Sequence, residues 1–243
     1  MRATIAKTLF LLLVVTGASA RVQAGGPQAK AGDEFSKQLS RLKSQSADER
    51  RQAIDALADT GDPRAVDPLI AALKDPAGDV RAAAANALGQ LADKRALEAL
   101  QAVLSNDEAE FVRGAAARVL GQLGDNRAVE SLIAALKDRS SNVCASAAMG
   151  LGALKDSRGL PALIRELKNE APDVRAAVAT ALGDIRDRRA VEPLMQAMDD
   201  EYRRDESRMV KLAVAVALSD LGDKRAIPAL TSAISTEKDQ DTK

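Results

Sequence analysis

No histidine and no tryptophan occur anywhere in the 243 residues of this chain, and aromatic residues make up only 2% of it. Without an imidazole there can be neither a Ser-His-Asp triad nor HExxH zinc chemistry. There is one cysteine, Cys144, so a single chain has no internal disulfide. Beyond residue 20 the only rings are Phe35, Phe111 and Tyr202. A nucleic-acid reader is expected to show a basic stripe or stacking aromatics, and this chain has neither, so no nucleic acid is expected as a partner. Basic and acidic residues balance at 35 each. No segment alternates apolar and polar residues over a useful length, so strands are not expected.

What the chain does have is a period. DPRAVDPLIAALKD at residues 62–75 returns as DNRAVESLIAALKD at 125–138, and looser copies start at Asp93, Asp156, Asp187 and Asp223. Successive starts lie 31, 32, 31, 31 and 36 residues apart. Between them runs a second string, GDVRAAAANALGQLA at 78–92, echoed by EFVRGAAARVLGQLG, SNVCASAAMGLGALK, PDVRAAVATALGDIR and RMVKLAVAVALSDLG. Such self-similarity is the signature of a repeat architecture.

Each unit reads as two helices. Val66, Leu69, Ile70 and Leu73 share one helical face, and so do Val80, Ala83, Ala84, Ala87, Leu88 and Leu91. Asp62 is placed to cap the first helix, DPAG at 75–78 breaks the chain, and Pro172 suits the first position of its own second helix. Neither helix can hide its apolar stripe alone, whereas stacked copies bury a continuous core. Gly89, Gly121, Gly152 and Gly183 recur late in the second helix. Glycine costs about 1 kcal/mol there relative to alanine, so close packing against the next layer is the expected reason.

The expected fold is therefore all-α, a right-handed α-solenoid of stacked antiparallel helix pairs. Six pairs and a final lone helix ending near Thr236 fill residues 33–236, and 237–243 form a polar tail. In the degenerate first layer Phe35, Leu39 and Leu42 stand one period before Val66, Ile70 and Leu73, and Ser46 and Glu49 have capping-box spacing. Residues 21–32 read as a flexible linker. Residues 1–20 read as a secretory signal: basic Arg2 and Lys7, an apolar run from Leu9 to Val15, then Ala18, Ser19 and Ala20. The run is shorter than the roughly 20 residues needed to span a bilayer. Removing it takes two basic and no acidic residues, leaving 33 basic against 35 acidic. The expectation is an exported, periplasmic or extracellular monomer with no stable membrane insertion after cleavage, an uncleaved anchor being the alternative.

The string DPRAVDPLIAALKDPAGDVRAAAANALGQLA resembles a HEAT repeat of the short, phycobilisome-lyase-like type, well over residues 62–236 and weakly over 33–61. The resemblance implies a HEAT-like superhelix that binds another protein as a scaffold or adaptor without enzymatic activity; its alternative is a bilin-lyase-like enzyme or chaperone acting on a pigment protein. The missing histidine excludes the iron site of the HEAT-repeat deoxyhypusine hydroxylases. The family's structural ladder, an aspartate followed six positions later by an arginine, falls on Asp75 with Arg81, Asp107 with Arg113, Asn169 with Arg175, and Asp205 with Lys211. In the layer between the second and third of these, Asp138 faces Cys144 instead of a base.

No catalytic residue, cofactor or metal is expected. Periodic acids read as capping groups. Cys144 reads as a small residue in place of a ladder arginine, with a helix-activated thiolate as the alternative. In HEAT arrays the second helices line the concave side, and the residues six positions after each Val should project into it: Asn86, Arg118, Met149, Thr180 and Val216, with Gln90, Gln122, Asp184 and Asp220 beside them. Small residues such as Ala82, Ala85, Ala117, Ala148 and Ala179 are expected between them, making a shallow, low-charge groove for an extended segment or a helix. The five extra residues of the fifth unit fall within DDEYRRDESRMV at 199–210, between its two helices, where Tyr202, Arg203 and Arg204 form a secondary partner candidate.

Overall fold

The computed structural model describes residues 27–204, 207–224 and 227–228. Every regular element among them is helical. Six helices open the layers: α1 (Pro27–Arg41), α3 (Val66–Ala72), α5 (Leu97–Asn106), α7 (Val129–Ala135), α9 (Leu160–Glu166) and α11 (Val191–Arg204). Six follow them as the second helices of each pair: α2 (Ala47–Asp59), α4 (Gly78–Leu91), α6 (Glu110–Gln122), α8 (Ser141–Leu154), α10 (Pro172–Ile185) and α12 (Arg208–Asp220). These two sets are called A and B helices below.

The repeated leucines form the core. Leu69, Leu100, Leu132, Leu163 and Leu194 occupy one position of successive A helices, and Leu88, Leu120, Leu151, Leu182 and Leu218 one position of successive B helices; all ten are 0% exposed. Each such burial contributes roughly 1.5–3 kcal/mol. The core is thus a row of leucines threaded through every layer, in place of a single globular centre.

Layer spacing is set by glycine. A Cβ built on Gly121 would stand 2.5 Å from Gly150 Cα, and one on Gly152 would stand 2.8 Å from Ala181 Cα. Backbone meets backbone there, which is the close packing that the recurring glycines imply. Successive B helices are accordingly packed along their length, whereas successive A helices touch sparsely. Helices that converge lie on the inner radius of a curved stack, so the B helices line its concave side.

Capping explains the A-helix starts. Asp62, Asp93, Asp125, Asp156 and Asp187 each accept a hydrogen bond from the backbone N–H two residues on, at 2.9–3.0 Å. They open a 3-10 turn of three residues, and the α-helix proper begins only afterwards. The residue before each cap is left-handed: Gly61, Gly124 and Gly222, but also Ala92, Lys155 and Arg186 with φ of 51°, 52° and 58°. Non-glycine residues pay roughly 1–2 kcal/mol for that backbone. Ser46 accepts from Glu49 N–H as its spacing predicts, while the Glu49 carboxylate turns to the Ser44 hydroxyl instead of closing the box. Pro172 opens α10.

Two boundaries differ from expectation. Helix α1 begins at Pro27, so the segment expected as linker is helical from there on. The five extra residues of the fifth unit do not simply lengthen a turn: α11 runs on to Arg204, 14 residues against seven in α7 and α9. Residues 1–20, expected as a signal, and the helix expected toward Thr236 with its tail lie outside the described residues, apart from 227–228. Among the described residues no helix is long and apolar enough to cross a membrane.

Candidate protein-binding face

A largely buried arginine stands near the start of α2, α4, α6 and α10, and in the first three its partners follow one rule. Arg50, Arg81 and Arg113 each use Nη1 to donate to two backbone carbonyls of their own inter-helix turn, Ser44 and Gln45, Asp75 and Pro76, and Asp107 and Glu108, at 2.9 and 3.1 Å. Nε and Nη2 then reach the aspartate of the next layer: Arg50 to Asp75 at 2.6 and 2.8 Å, Arg81 to Asp107 at 2.7 and 2.9 Å, Arg113 to Asp138 at 2.8 and 2.8 Å. Such forked, parallel bonds fix geometry as well as charge.

This corrects the ladder read from spacing. Asp75 and Arg81 do meet, as do Asp107 and Arg113, but through the aspartate's backbone carbonyl; each carboxylate belongs to the arginine one layer earlier. Arg50 is therefore a rung that the six-residue spacing missed. Hydrogen bonds from Arg50 and Arg113 hold the Asp75 and Asp138 carboxyls below the usual range. Burial pushes Asp107 upward, and the bonds from Arg81 and from Ala109 N–H outweigh it. Arg175 keeps the carbonyl contacts, with Asn169 and Glu170 at 2.9 Å. Asp205 lies outside the described residues.

Cys144 does stand beside Asp138, but it meets that residue's backbone carbonyl and not its carboxylate. Asp138 is not left facing it without a base, because Arg113 holds that carboxylate. The Cys144 thiol donates to the Asp138 carbonyl at 3.1 Å, the acceptor an arginine would use in this position. The rungs of Arg50, Arg81 and Arg113 span 25, 26 and 25 residues, and the residue 25 after Cys144 is Asn169. One rung of the ladder has thus lost both charges together. Burial pushes the thiol pKa up, with Asp138 and Glu166 adding to it, so the helix-activated thiolate is not found.

The row read from the periodicity lies at the surface. Asn86, Arg118, Met149, Thr180 and Val216 are all open to solvent, and so are Gln90, Gln122, Asp184 and Asp220. Their alignment across layers is physical: Arg118 Nη2 donates to Asn86 Oδ1 at 2.7 Å. Gln122 and Asp184 lean over the glycines of the preceding layer, since a Cβ on Gly89 would meet Gln122 Oε1 at 3.2 Å and one on Gly152 would meet Asp184 Oδ2 at 3.1 Å. The Thr180 hydroxyl is turned to the Ala176 carbonyl of its own helix.

The floor is not as expected. Ala85, Ala117, Ala148 and Ala179 are 0% exposed and pack between layers. They stand one residue, or about 100°, from the exposed row. Of the expected floor residues Ala82 alone stays partly open, and with Gly114 and Ser146 it lines a depression of about 430 Å³ beside Asn86, Phe111 and Arg118. Phe111 is half exposed at 52% and also borders a second depression, of about 570 Å³, with Asp48, Asp55 and Asp79. Sequence reading missed Phe111 as a surface anchor. Its signal was the seven-residue spacing to Arg118, two helical turns that put both on one face. Tyr202, Arg203 and Arg204 end α11, and their side chains lie outside the described residues. Among the described residues no group of His, Cys, Asp or Glu is placed to hold a metal ion.

Comparison with known proteins agrees with this layout. The HEAT repeats family model matches in overlapping stretches at residues 36–121, 76–148, 106–170, 129–206 and 160–243. No curated protein matches. Among solved structures, the complex of CpcE and CpcF of phycocyanin lyase from Nostoc sp. PCC7120 is similar at 21% identity, covering 82% of this chain and 94% of that one, with a TM-score of 0.57. A designed armadillo repeat protein in complex with peptide (KR)4 is similar at 18% identity, covering 77% and 99%, with a TM-score of 0.56. These likenesses are of fold. With the family model covering residues 36–243, the chain belongs to the HEAT-repeat family.

Proposed function

We propose that this chain is an exported, non-enzymatic scaffold or adaptor that binds a segment of another protein on the concave B-helix face. The observation that carries the reading is the exposed row from Asn86 to Val216, one residue per layer, joined across layers by the Arg118–Asn86 hydrogen bond. A solenoid that presents equivalent positions at a fixed step suits an extended partner running across the layers. The designed armadillo repeat protein of similar fold is in complex with a peptide, which supports that mode. Export rests on the residues of the first 20 positions, and a periplasmic or extracellular monomer is the matching location and state.

A lyase role would be carried over from the phycocyanin lyase neighbour alone. The one thiol available to hold a pigment, Cys144, is buried, and its proton is held more tightly than usual. The geometry therefore supports binding over chemistry.

Photo-crosslinking tests the assignment. A photoreactive residue at position 149 should capture a partner in cells, whereas one at Ala134, exposed on α7 of the opposite side, should not. Capture from 134 or 202 with none from 149 would move the site off the concave face.

A further inference from the structure

The concave face has a charge pattern along its length that goes beyond the low-charge groove expected from its centre. At 100° per residue, the positions one before and two, six and ten after each layer's Val fall within about 40° of a common direction on the helix. In α2 the same positions are set by Arg50, the counterpart of Arg81. Over the first two layers they hold Asp48, Asp55, Asp59 and Asp79 against Arg51; over the middle two, Arg118 is the one charge; over the last two stand Asp173, Asp184 and Asp220 with no base. All seven aspartates are exposed. Glu110 and Arg208 stand at the rim, and Lys155 and Arg186 sit in the left-handed caps beyond the helix ends.

These acids are not used by the fold as the others are. The cap aspartates each hold an arginine two residues on, and the ladder aspartates hold the arginine of the preceding layer. On the face, Asp48, Asp59, Asp79, Asp173, Asp184 and Asp220 form no ion pair among the described residues, and Asp55 has one exposed contact, with Arg51 at 3.9 Å. Asp48, Asp79 and Asp173 sit in first turns, where the helix dipole favours an acid. Asp55, Asp59, Asp184 and Asp220 lie mid-helix or near the C-terminal end, where it does not. The exposed apolar side chains of this face are Phe111 and Met149 in the middle layers, at 52% and 56%, and Met209, Leu212 and Val216 in the last layer.

Resting on the protein-binding reading above, we infer that the occupant of this face is an extended protein segment with a cluster of lysine or arginine at each end and apolar residues between. The acidic ends receive the cations, and Phe111 and Met149 receive the apolar centre. With layers roughly 8–10 Å apart and about 3.3 Å per extended residue, the three steps from the second layer to the fifth correspond to roughly seven to nine residues between the clusters. Arg118 at the centre disfavours a continuous basic run.

Fluorescence anisotropy on the full chain tests this. The probe is a labelled peptide with three lysines at each end of an eight-residue Ala/Leu/Ser spacer; its comparisons replace one cluster, or both, by glutamate. The two-cluster peptide should bind, lose at least about tenfold in affinity when one cluster is replaced, and weaken as salt rises. Asp55→Asn with Asp79→Asn, or Asp184→Asn with Asp220→Asn, should each weaken it at least severalfold with the melting temperature held. Glu98→Gln with Glu130→Gln, on A helices, should not. Equal binding of the lysine and glutamate peptides, or equal losses from the A-helix variant, would overturn the inference. Crosslinking from position 149 to a neutral or acidic partner segment would also overturn it while leaving the scaffold reading in place, whereas failure of capture at 149 removes that reading itself.

Discussion

Arg113 reaches the carboxylate of Asp138, one layer on, through two parallel hydrogen bonds of 2.8 Å, although Asp138 stands six residues before Cys144 in its own layer. The ladder therefore runs between layers, and Cys144 and Asn169 occupy the positions that an arginine and an aspartate hold in the other rungs. Replacing a buried ion pair with uncharged groups removes a desolvation cost as well as an attraction, so a neutral rung is compatible with the stack as long as both ends change together.

A double-mutant cycle tests the pairing. Cys144→Arg alone introduces a buried cation without its carboxylate, and Asn169→Asp alone the reverse, so each should destabilise. The double variant should recover a coupling of about 1–3 kcal/mol, in the range found for residues in contact. Denaturant unfolding of the four proteins measures it; additive effects would separate the two positions.

Gly121→Ala reverses the usual helix propensity. By propensity alone alanine gains about 1 kcal/mol. Here its Cβ would meet Gly150 backbone at 2.5 Å, and forcing extra volume into a packed contact costs roughly 1–3 kcal/mol. Thermal melts should show a net loss. Gly89→Ala, which meets the Val119 and Gln122 side chains instead, should cost less.

The fold was legible in the sequence because its period is local. Asp62, Asp93, Asp125, Asp156 and Asp187 announce five of the six A helices, and Val80 with Leu88 fixes the buried face of a B helix. The exposed row from Asn86 to Val216 followed from the same periodicity. Ladder partners were not legible in that way, because the nearest arginine in sequence shares a turn with Asp75, while the arginine that binds its carboxylate, Arg50, lies 25 residues earlier and meets it only when layers stack. The paired departures at Cys144 and Asn169, also 25 apart, were the available clue. Ala85 and its copies were misread for a different reason: one residue of rotation separates a groove floor from a layer interface, and alanine suits both.

Stability should fall in acid through the cap aspartates. Hydrogen bonds from the side chain and backbone of Arg127 and Arg189 lower the Asp125 and Asp187 carboxyls to about 2, against an unfolded value of about 3.9. A depressed folded pKa contributes stability above the unfolded value that is lost as pH falls toward the folded one. Melting temperatures should therefore drop between about pH 4 and pH 2, and Asp125→Asn with Asp187→Asn should flatten that drop. An unchanged slope in the double variant would remove these caps from the acid response.

Export predicts a new N-terminus. Edman degradation or intact-mass analysis of the protein recovered from the periplasm or medium should place Arg21 first. A soluble cytoplasmic product that retains Met1 would contradict it.

The most direct measurement is the affinity of the crosslinked partner segment, once isolated, for two variants of the chain. Phe111→Ala with Met149→Glu removes the apolar centre of the concave face without touching the buried leucines. Changing Tyr202, Arg203 and Arg204 to alanine alters the end of α11. The groove variant should lose at least about tenfold in affinity, as truncation of central anchors does, with helicity and melting nearly unchanged, and the α11 variant should bind like the parent. Full binding by the groove variant together with loss in the α11 variant would contradict the account.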